Sequence, residues 1–398
     1  MIWYGINFYD QFLRGQPIMH VMINREILTA AISDTSRAVS SRTTIPILTG
    51  IKMSSHSEGI TLTASDSDIS IEYAIPLEED GNLYVDIKRH GSIVLPARYL
   101  NDIVRRLPGE FVEIEVGERF LTTIRSAKSD FNLNGLDPED FPRLPQIEEE
   151  KVFSLPADIL KTMIRQTSFA AATTELRPIL TGIMWSLEED QLHFVATDSH
   201  RLASRKSHVE SSPELSLDNI VTPAKSMQEL SKILSDDDSL VDIVATDNQI
   251  LFKTKNILFY SRLLSGTYPD VNRIIPQQSK TDIILNTKEF LHAIERASLL
   301  AKDGKNNVVK FSVLQSPAIE ISSISPEVGK VTEEIQAASI EGEDIKISFN
   351  AKYMLDTLRT IDSEEVKVRF TGAMSPFIIH PTDHEQSLYL ILPVRTYQ

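Results

Sequence analysis

The hexapeptide PILTGI occurs twice in this chain, at 46–51 and at 178–183. Six identical residues are not expected to recur by chance in an unrepeated chain of 398 residues. The hexapeptide therefore indicates that part of the chain is duplicated. Any fold must accommodate the same local structure in two places.

Each copy of the hexapeptide follows a segment in which apolar residues have helical spacing, at 25–44 and at 157–175. A third segment with this spacing lies at 287–304. Farther along each third of the chain, apolar and polar residues alternate, as is typical of half-buried antiparallel strands. These stretches read GITLTASDSDISIEYAIP, QLHFVATDSHRLASRKSHV and AIEISSISPEVGKVTEEIQA.

A second predicted helix follows in each third, at 95–109, 222–236 and 349–363. The three align on Ala97, Ala224 and Ala351, each of which follows Pro or Asn and precedes a basic residue. We therefore predict an α+β fold of three tandem domains, each with two helices packed on antiparallel sheets. The predicted domains span 19–148, 149–276 and 277–398.

The bulk composition excludes several classes of protein. The chain has no cysteine, which excludes disulfides, thiolate metal sites and cysteine nucleophiles. It has no apolar run of 18 residues, so we predict no membrane partner. The first residues lack a basic segment followed by a long apolar one, which argues against a signal peptide.

The formal net charge is −16, which by itself argues against a nucleic-acid partner. A ligand responds to the local field, however, and basic residues outnumber acidic ones in a window within or overlapping each predicted helix. These windows are 25–42, 98–106, 158–165, 225–232, 288–305 and 352–359. Acidic residues concentrate in loops such as PLEED, IEEEK and SDDDS. This pattern favours one weakly positive face for a loosely held polyanion. The alternative is an ordinary solvated surface without a ligand.

The sharpest candidate for catalysis is ATDSHRLA (196–203), in which Asp198, Ser199 and His200 are adjacent. A nucleophile needs a base within hydrogen-bonding reach. If this stretch is a strand, neighbouring side chains point to opposite faces, so Ser199 and His200 do not pair. The nine histidines show no metal-ligand spacing, and no glycine-rich phosphate loop is present. We therefore predict no metal, no cofactor and no catalytic residue.

Long stretches of the chain resemble the bacterial sliding clamp family, the beta subunit of DNA polymerase III, in its low-GC Gram-positive form. The resemblance covers 19–398. It rests on RTTIPILTGIK, GSIVLPARYLNDIVRRLP, SDFNLNGLDPEDFPRLPQIEE, RPILTGI, ATDSHRLA, YSRLLSGTYPDVNRIIP, ASLLAKDGKNNVVK and LILPVRTY. It implies a homodimer in which two three-domain protomers close head to tail into a ring around duplex DNA. A protein of this family is a non-catalytic processivity subunit, and the polymerase activity belongs to the holoenzyme.

The resemblance also implies a hydrophobic pocket, between the second and third domains, that binds short peptide motifs of partner proteins. The matching positions are Leu180, Thr197, Ser199, His200, Arg201, Leu202, Pro269, Arg273, Ile274, Pro376, Leu390, Leu392, Pro393, Val394 and Arg395. The family often has Gly or Ser where Ser199 stands and Met near Leu392, so the peptide preference of this chain could differ.

Further roles come from the resemblance in the same way. The implied dimer contacts are Phe131 and Leu133 in one protomer and Leu299 and Leu300 in the other. The implied DNA contacts are Arg42 and Lys225, to which the helix positions add Arg98, Arg105, Arg106 and Lys352.

The implied partners are double-stranded DNA, bound without sequence preference, the replicative polymerase, the clamp loader and other proteins with a clamp-binding motif. The implied location is the cytoplasm, in association with the nucleoid. Residues 1–18 match nothing in the family, and we expect a disordered extension or an upstream start assignment. The functional alternative is a tethering segment. Two alternative functions stay open: a hydrolase that uses Asp198 and His200, and a ring-shaped scaffold that binds only proteins.

Overall fold

The computed structural model describes residues 17–40, 43–144, 147, 152–209, 216–301, 307–315 and 317–395. These residues form two compact units. The first comprises the described residues within Met1–Val152 and Val241–Arg262. The second comprises those within Phe153–Leu240 and Leu263–Gln398. Most of the predicted extension 1–18 lies outside the described residues.

Six α-helices are present in the described part of the chain. They are α1 (Arg25–Thr35), α2 (Ala97–Val104), α3 (Ala157–Thr167), α4 (Ala224–Ser231), α5 (Thr287–Ala301) and α6 (Ala351–Leu358). They occur where the repeat predicts them, and five of them, all except α5, are shorter than the periodic segments. After α1 and α3 the chain tightens into 3₁₀ turns, Ser36–Ala38 and Ser168–Ala170.

The second helix of each third begins at the aligned alanine because the preceding residue is its N-cap: Pro96, Pro223 or Asn350. Proline has no amide hydrogen, and the first amides of a helix have no intrahelical acceptor, so proline is tolerated there. Asn350 instead accepts a hydrogen bond from the Lys352 amide at 2.9 Å.

Twenty-eight strands accompany the helices among the residues that the structure describes. The first third contains β1 (Met19–Asn24), β2 (Gly50–His56), β3 (Gly59–Ser65), β4 (Ile69–Pro76), β5 (Glu78–Glu79), β6 (Asn82–Leu83), β7 (Val85–Arg89), β8 (Ser92–Pro96), β9 (Phe111–Val116), β10 (Leu121–Ser126) and β11 (Ser129–Asn134). The second contains β12 (Val152–Pro156), β13 (Gly182–Glu188), β14 (Gln191–Thr197), β15 (Arg201–His208), β16 (Leu217–Pro223), β17 (Leu240–Ala245), β18 (Gln249–Lys253) and β19 (Ile257–Arg262). The last contains β20 (Thr281–Asn286), β21 (Val308–Gln315), β22 (Ala318–Ser325), β23 (Gly329–Gln336), β24 (Ser339–Gly342), β25 (Lys346–Asn350), β26 (Glu365–Phe370), β27 (Phe377–Pro381) and β28 (Ser387–Ile391).

The three alternating stretches each form an antiparallel hairpin, as predicted: β3–β4, β14–β15 and β22–β23. The first helix of each third packs on the hairpin and lies beside the second helix of the same third. Buried apolar side chains such as Leu28, Leu160 and Phe290 of these helices face the sheets. The pattern is two helices on antiparallel strands, three times in succession.

One sheet of the first unit has the order β11-β10-β9-β1-β7, and in another the strands β17, β18, β19, β4, β3, β2 and β8 follow one another. The second unit has a sheet of order β16-β13-β14-β15-β28-β27-β26-β20-β24 and one of order β23-β22-β21-β25.

Each unit contains one junction between thirds, and the two junctions follow one rule. In both, the second strand of a hairpin pairs with the last strand of the next third. These pairs are β4 with β19, where Ile71 faces Phe259, and β15 with β28, where Leu202 faces Leu390. Two strands at corresponding positions, β11 and β23, lie at the ends of their sheets.

In the described part of the chain, no helix has the length and apolarity needed to cross a membrane.

Candidate functional site

An apolar cluster lies in the second unit where β15 and β28 pair. Its buried members are Leu180, Val195, Leu202, Val221, Tyr268, Val271 and Leu390. Half-buried side chains packed against it include Ile179, Met184, Leu264, Leu388 and Leu392. The structure thus brings together four positions predicted for the peptide pocket: Leu180, Leu202, Leu390 and Leu392.

Other predicted pocket positions lie on the segments that lead into or out of this cluster. Pro269, Arg273 and Ile274 are exposed, and Ile274 is 49% accessible. They flank Val271, which is buried in the cluster. Arg273 is paired with Asp270 at 3.0 Å. The segment therefore has a buried anchor and an exposed apolar and cationic surface.

The C-terminal segment is attached to the same region. The Leu392 amide donates to the His200 carbonyl at 2.9 Å, and the Val394 amide donates to the Ser348 carbonyl at 2.7 Å. Pro393 is half-buried and Arg395 is exposed. Pro376 is half-buried just before β27, and its carbonyl accepts from the Thr371 hydroxyl at 2.8 Å.

The turn that joins β14 to β15 contains Asp198, Ser199 and His200. These residues are not in a strand, so alternation cannot explain why Ser199 and His200 do not pair. The geometry of the turn gives the reason instead: Ser199 adopts a positive φ of 75°, and Asp198 Oδ1 accepts from the amides of His200 and Arg201 at 2.9 and 3.0 Å. The Asp198 carboxylate stabilises the turn rather than orienting the His200 ring as a base.

Thr197 is buried and is the last residue of β14, directly before this turn. Its amide donates to the Tyr268 hydroxyl at 3.0 Å, and its hydroxyl donates to the Arg201 carbonyl at 2.6 Å. Burial raises the pKa of Tyr268, which keeps this hydroxyl neutral at physiological pH. The turn and the Tyr268 segment are therefore tied together beside the apolar cluster.

Arg201 is only 6% exposed. Its Nε donates to Asp198 Oδ2 at 3.1 Å, Nη1 to Asp356 Oδ2 at 2.6 Å, and Nη2 to the Phe169 carbonyl at 2.6 Å. The guanidinium also lies over the rings of Tyr353 and Phe169, with centroids at 4.6 and 5.4 Å. Every guanidinium nitrogen thus has a partner within the protein.

The two hexapeptides have the same structure. Each forms a 3₁₀ turn, Pro46–Thr49 or Pro178–Thr181, followed by a glycine that begins a strand. A Cβ on Gly50 would lie 2.6 Å from Val94 Cγ1, and one on Gly182 would lie 2.5 Å from Val221 Cγ1. The turn inserts Leu48 or Leu180 into an apolar cluster, and the glycine permits the close approach of the neighbouring strand.

The cluster around Leu48 is the smaller of the two. It contains Ile47, Leu48, Val94 and Phe141, all in the first unit. Phe141 stands in DFPRLP, where the second third has Tyr268 in TYPDVNRIIP. The first unit thus contains a reduced counterpart of the apolar cluster, and its exposed Ile45 (47%) provides a natural control for Ile274.

A cavity of about 220 Å³, which was not predicted from the sequence, lies beside the apolar cluster. Its lining includes Met184, His193, Asp218, Pro269 and Asp270. His193 is hydrogen-bonded to the Ser204 hydroxyl at 2.7 Å, and burial lowers the pKa of His193 to about 4. The alternation of β14 could have placed His193 and Val195 on one sheet face, but no sequence signal reveals the cavity.

The predicted DNA-contacting residues are exposed wherever the structure describes them. Arg98, Arg105 and Arg106 belong to α2 or directly follow it, Lys225 belongs to α4 and Lys352 to α6. Arg42 lies outside the described residues. The Arg106 guanidinium is paired with Asp102 at 2.8 Å, and this pairing lowers the pKa of Asp102.

A groove between α1 and α2 was not predicted. It has a volume of about 410 Å³ and is lined by Arg25, Glu26, Thr29, Ala30, Ser33 and Arg105. The Arg105 guanidinium and the Ser33 hydroxyl are suitable donors for phosphate oxygens. Arg25 and Thr29 are partly engaged within the protein, since the Arg25 Nε donates to the Gly109 carbonyl at 3.0 Å and the Thr29 hydroxyl donates to the Arg25 carbonyl at 2.6 Å. The excess of basic over acidic residues in the sequence pointed to these helices. It could not show that Arg25, Thr29 and Ser33 line a groove.

The predicted dimer contacts fall on two surfaces. Phe131 (41% exposed) and the half-buried Leu133 lie on the edge strand β11. Leu299 (64% exposed) and the half-buried Leu300 lie near the end of α5. Within the described residues, no group of three or more His, Asp or Glu side chains could hold a metal ion.

Comparison with known proteins gives the same family for all three thirds of the chain. Family models described as the N-terminal, central and C-terminal domains of the DNA polymerase III beta subunit match residues 19–145, 154–270 and 272–395. The chain is 56% identical to the beta sliding clamp of Bacillus subtilis (strain 168) over 379 residues, covering 95% of this chain and 100% of the relative. It is 47% identical to the beta sliding clamp of Staphylococcus aureus (strain N315) over 380 residues, covering 96% and 100%.

Solved structures agree. The crystal structure of the DNA polymerase sliding clamp from Bacillus subtilis superposes with a TM-score of 0.92 at 56% identity, over 95% of this chain and 100% of that chain. A sliding clamp from Pseudomonas aeruginosa bound to griselimycin superposes with a TM-score of 0.88 at 28% identity, over the same shares.

Proposed function

This chain belongs to the beta sliding clamp family, the beta subunits of DNA polymerase III. We propose that its own residues close a ring, face DNA and bind partner proteins. Sliding clamps are processivity factors, so the polymerase activity belongs to the holoenzyme and not to this chain. Membership of this family also argues against the hydrolase alternative. A hydrolase would need the Asp198 carboxylate, which already accepts hydrogen bonds from His200 and Arg201 in the turn.

The ring proposal rests on the strand pairing at the two junctions between thirds of the chain. Inside the chain, the second hairpin strand of one third pairs with the last strand of the next, at β4–β19 and at β15–β28. The two remaining strands of these types, β23 and β11, are sheet edges in the described part of the chain. Unpaired edges are templates for further pairing. We infer that β11 of one protomer pairs with β23 of another, and that two such contacts close a head-to-tail dimer.

Side chains beside these edges suit such an interface. Phe131 on β11 and Leu299 on α5 expose large apolar side chains, and pairing between the two edges would cover both. A closed pair of interfaces satisfies both edges of both protomers. The subunit number therefore tests the proposal: sedimentation equilibrium is expected to give a dimer, and a monomer at micromolar concentration would contradict ring closure.

We propose that duplex DNA faces α2, α4, α6 and the groove between α1 and α2. The supporting observation is that Arg98, Lys225 and Lys352 on these helices, and Arg105 directly after α2, are exposed while the chain as a whole is acidic. Contacts with phosphates are independent of sequence and sensitive to salt. A closed protein ring needs only weak contacts of this kind because it cannot come off the DNA sideways.

We propose further that the apolar cluster is the floor of the peptide pocket. Leu180, Leu202 and Leu390 provide buried apolar surface, and Ile274 and His200 are exposed beside it. An apolar floor with a few polar groups at the rim is typical of ligand sites. The replicative polymerase, the clamp loader and other motif-bearing proteins would dock here, and griselimycin would compete with them. The expected place of action is the nucleoid, in the cytoplasm.

A fluorescein-labelled synthetic peptide with two leucines and one phenylalanine is the probe for the pocket (hereafter the probe peptide). Its anisotropy should rise on titration with the wild-type chain, and griselimycin should displace it. If the probe peptide binds and an excess of griselimycin leaves it bound, the two do not share a site and the assignment of the pocket to griselimycin is wrong.

A further inference from the structure

Arg201 occupies a predicted pocket position, yet its surroundings differ from those of a ligand contact. Its side chain is 7% exposed, and all three guanidinium nitrogens already donate to acceptors in the protein. A docked peptide would have to displace one of these bonds to reach the guanidinium. Buried charge-assisted bonds are the costly ones to break.

The local charge also argues against a peptide carboxylate at this place. Two carboxylates, those of Asp198 and Asp356, already lie within 3.1 Å of the one guanidinium. A third carboxylate would be repelled by the pair.

The partners of Arg201 come from segments that are far apart in the chain. Asp198 lies in the β14–β15 turn, Phe169 in the 3₁₀ turn after α3, and Asp356 on α6. The ring of Tyr353, also on α6, stacks on the guanidinium and lies 6.4 Å from the ring of His200. One side chain thus joins the turn that carries His200 to a helix of the following third.

The joined turn borders the apolar cluster directly. Leu202 follows Arg201 in the chain and is part of the cluster floor. The His200 carbonyl accepts from the Leu392 amide, which fixes the C-terminal segment on the other side. A change in the position of Arg201 would therefore move two walls of the pocket at once.

We propose that Arg201 is a positioning residue that holds the peptide pocket in its binding-competent shape through Asp198, Asp356 and Tyr353, without contacting the bound peptide. The inference rests on the proposed peptide pocket and assigns a different role to one of its positions. It predicts that a change at Arg201 lowers the affinity for every peptide by the same factor, whatever the peptide's own residues. A direct contact would instead matter for one peptide residue.

The test uses Arg201→Lys, which keeps the charge and loses the planar fork, and Asp356→Asn, which keeps the size and loses the charge. If the competent fraction of the pocket falls to roughly a tenth, the affinity for the probe peptide falls about tenfold in each variant. The double variant should lose little more than either single one, because both changes break the same contact.

The matched control is Arg205→Lys. Arg205 lies on the same strand and is 9% exposed, and its Nη1 donates to the Ser387 hydroxyl at 3.1 Å. This variant should lower the melting temperature to a degree comparable with Arg201→Lys while the probe peptide binds within about twofold of wild type. Should Arg201→Lys fold poorly, Tyr353→Leu removes the stacked ring from α6 and provides the same readout at a more accessible position.

The outcomes separate the two proposals. A tenfold loss that is equal for probe peptides carrying single alanine substitutions supports positioning. Unchanged affinity in Arg201→Lys and Asp356→Asn overturns it, and so does a loss confined to one peptide residue, which indicates direct contact. If the folded wild-type chain binds no probe peptide at all, the proposed pocket itself fails, and the positioning role fails with it.

Discussion

Leu202 and Leu390 lie opposite each other across the antiparallel pair of β15 and β28, and both side chains are 1% exposed. One belongs to the second third of the chain and the other to the last. The pair therefore serves two purposes: it joins two repeats into one sheet, and it provides the floor of the apolar cluster. The proposed pocket exists because of the repeat junction.

The first prediction concerns the rim of that pocket. Ile274→Ala should weaken the binding of the probe peptide by at least about 1 kcal/mol, because we place Ile274 among the few anchor residues that dominate the binding energy of an interface. Fluorescence anisotropy measures the change. Ile45→Ala is the control, since Ile45 is exposed to almost the same fraction beside the smaller cluster of the first unit. Equal losses in the two variants would show that the peptide does not distinguish the clusters.

The second prediction compares two adjacent arginines. Arg106 is already engaged by Asp102, whereas Arg105 lines the groove between α1 and α2. Arg105→Ala should reduce the slope of log affinity for duplex DNA against log salt by about one, as expected for a lost phosphate contact, and Arg106→Ala should reduce it less. Affinities measured at several salt concentrations give the slopes. The opposite order would remove the groove from the DNA-facing surface.

The third prediction concerns the dimer. Leu299→Ala should shift the equilibrium toward monomer by at least about tenfold in dissociation constant if Leu299 is buried at a closed interface. Leu240→Ala is the control because Leu240 is exposed to a similar extent, 62% against 64%. Sedimentation equilibrium distinguishes them. A control variant that dissociates as readily as Leu299→Ala would contradict the assignment of the interface.

The fourth prediction is a loss of stability in mild acid. The pKa of His193 is about 4 in the folded chain because burial disfavours its charged form, and an unfolded histidine titrates near 6.5. As pH falls below about 6.5, the unfolded state gains a proton that the folded state does not take up until about pH 4. The free energy of unfolding therefore falls as pH falls through this window, by at most about 3 kcal/mol from this one residue. Above about pH 6.5 the titration of His193 no longer affects it.

His193→Gln isolates that contribution, because glutamine can keep a hydrogen bond to Ser204 and does not titrate. Chemical denaturation at pH 7.5 and at pH 5 should show a smaller loss for this variant than for wild type. A residual loss is expected, since burial lowers the pKa of His380 and His384 as well. An identical loss in variant and wild type would show that His193 is not desolvated in the folded protein.

The repeat made most of the architecture predictable. The aligned alanines mark the first residue of α2, α4 and α6, and the alternating stretches became hairpins at β3–β4, β14–β15 and β22–β23. Local periodicity is enough for such elements because each depends on its own apolar face. The helix ends were less predictable. Apolar spacing continues past Thr35 and Thr167, although the chain there tightens into 3₁₀ turns.

The resemblance predicted which residues belong to the proposed pocket, but not what each side chain does there. Nothing local to ATDSHRLA shows that Asp198 caps a turn or that Arg201 reaches Asp356, 155 positions away in the sequence. Such contacts depend on how β15, α6 and the turn at Phe169 pack. The sequence likewise gives no reason to expect a cavity at His193 or a groove at Arg25.

Closure of the ring around DNA, and not tight binding to DNA, is the central claim of the proposed function. Its most direct measurement is the retention of the protein on nicked circular DNA after loading, followed by cutting the same DNA once to make it linear. The circle should retain the protein through a high-salt wash, and cutting should release it, because a closed ring leaves only over a free end. Equal retention on circular and linear DNA would contradict encirclement.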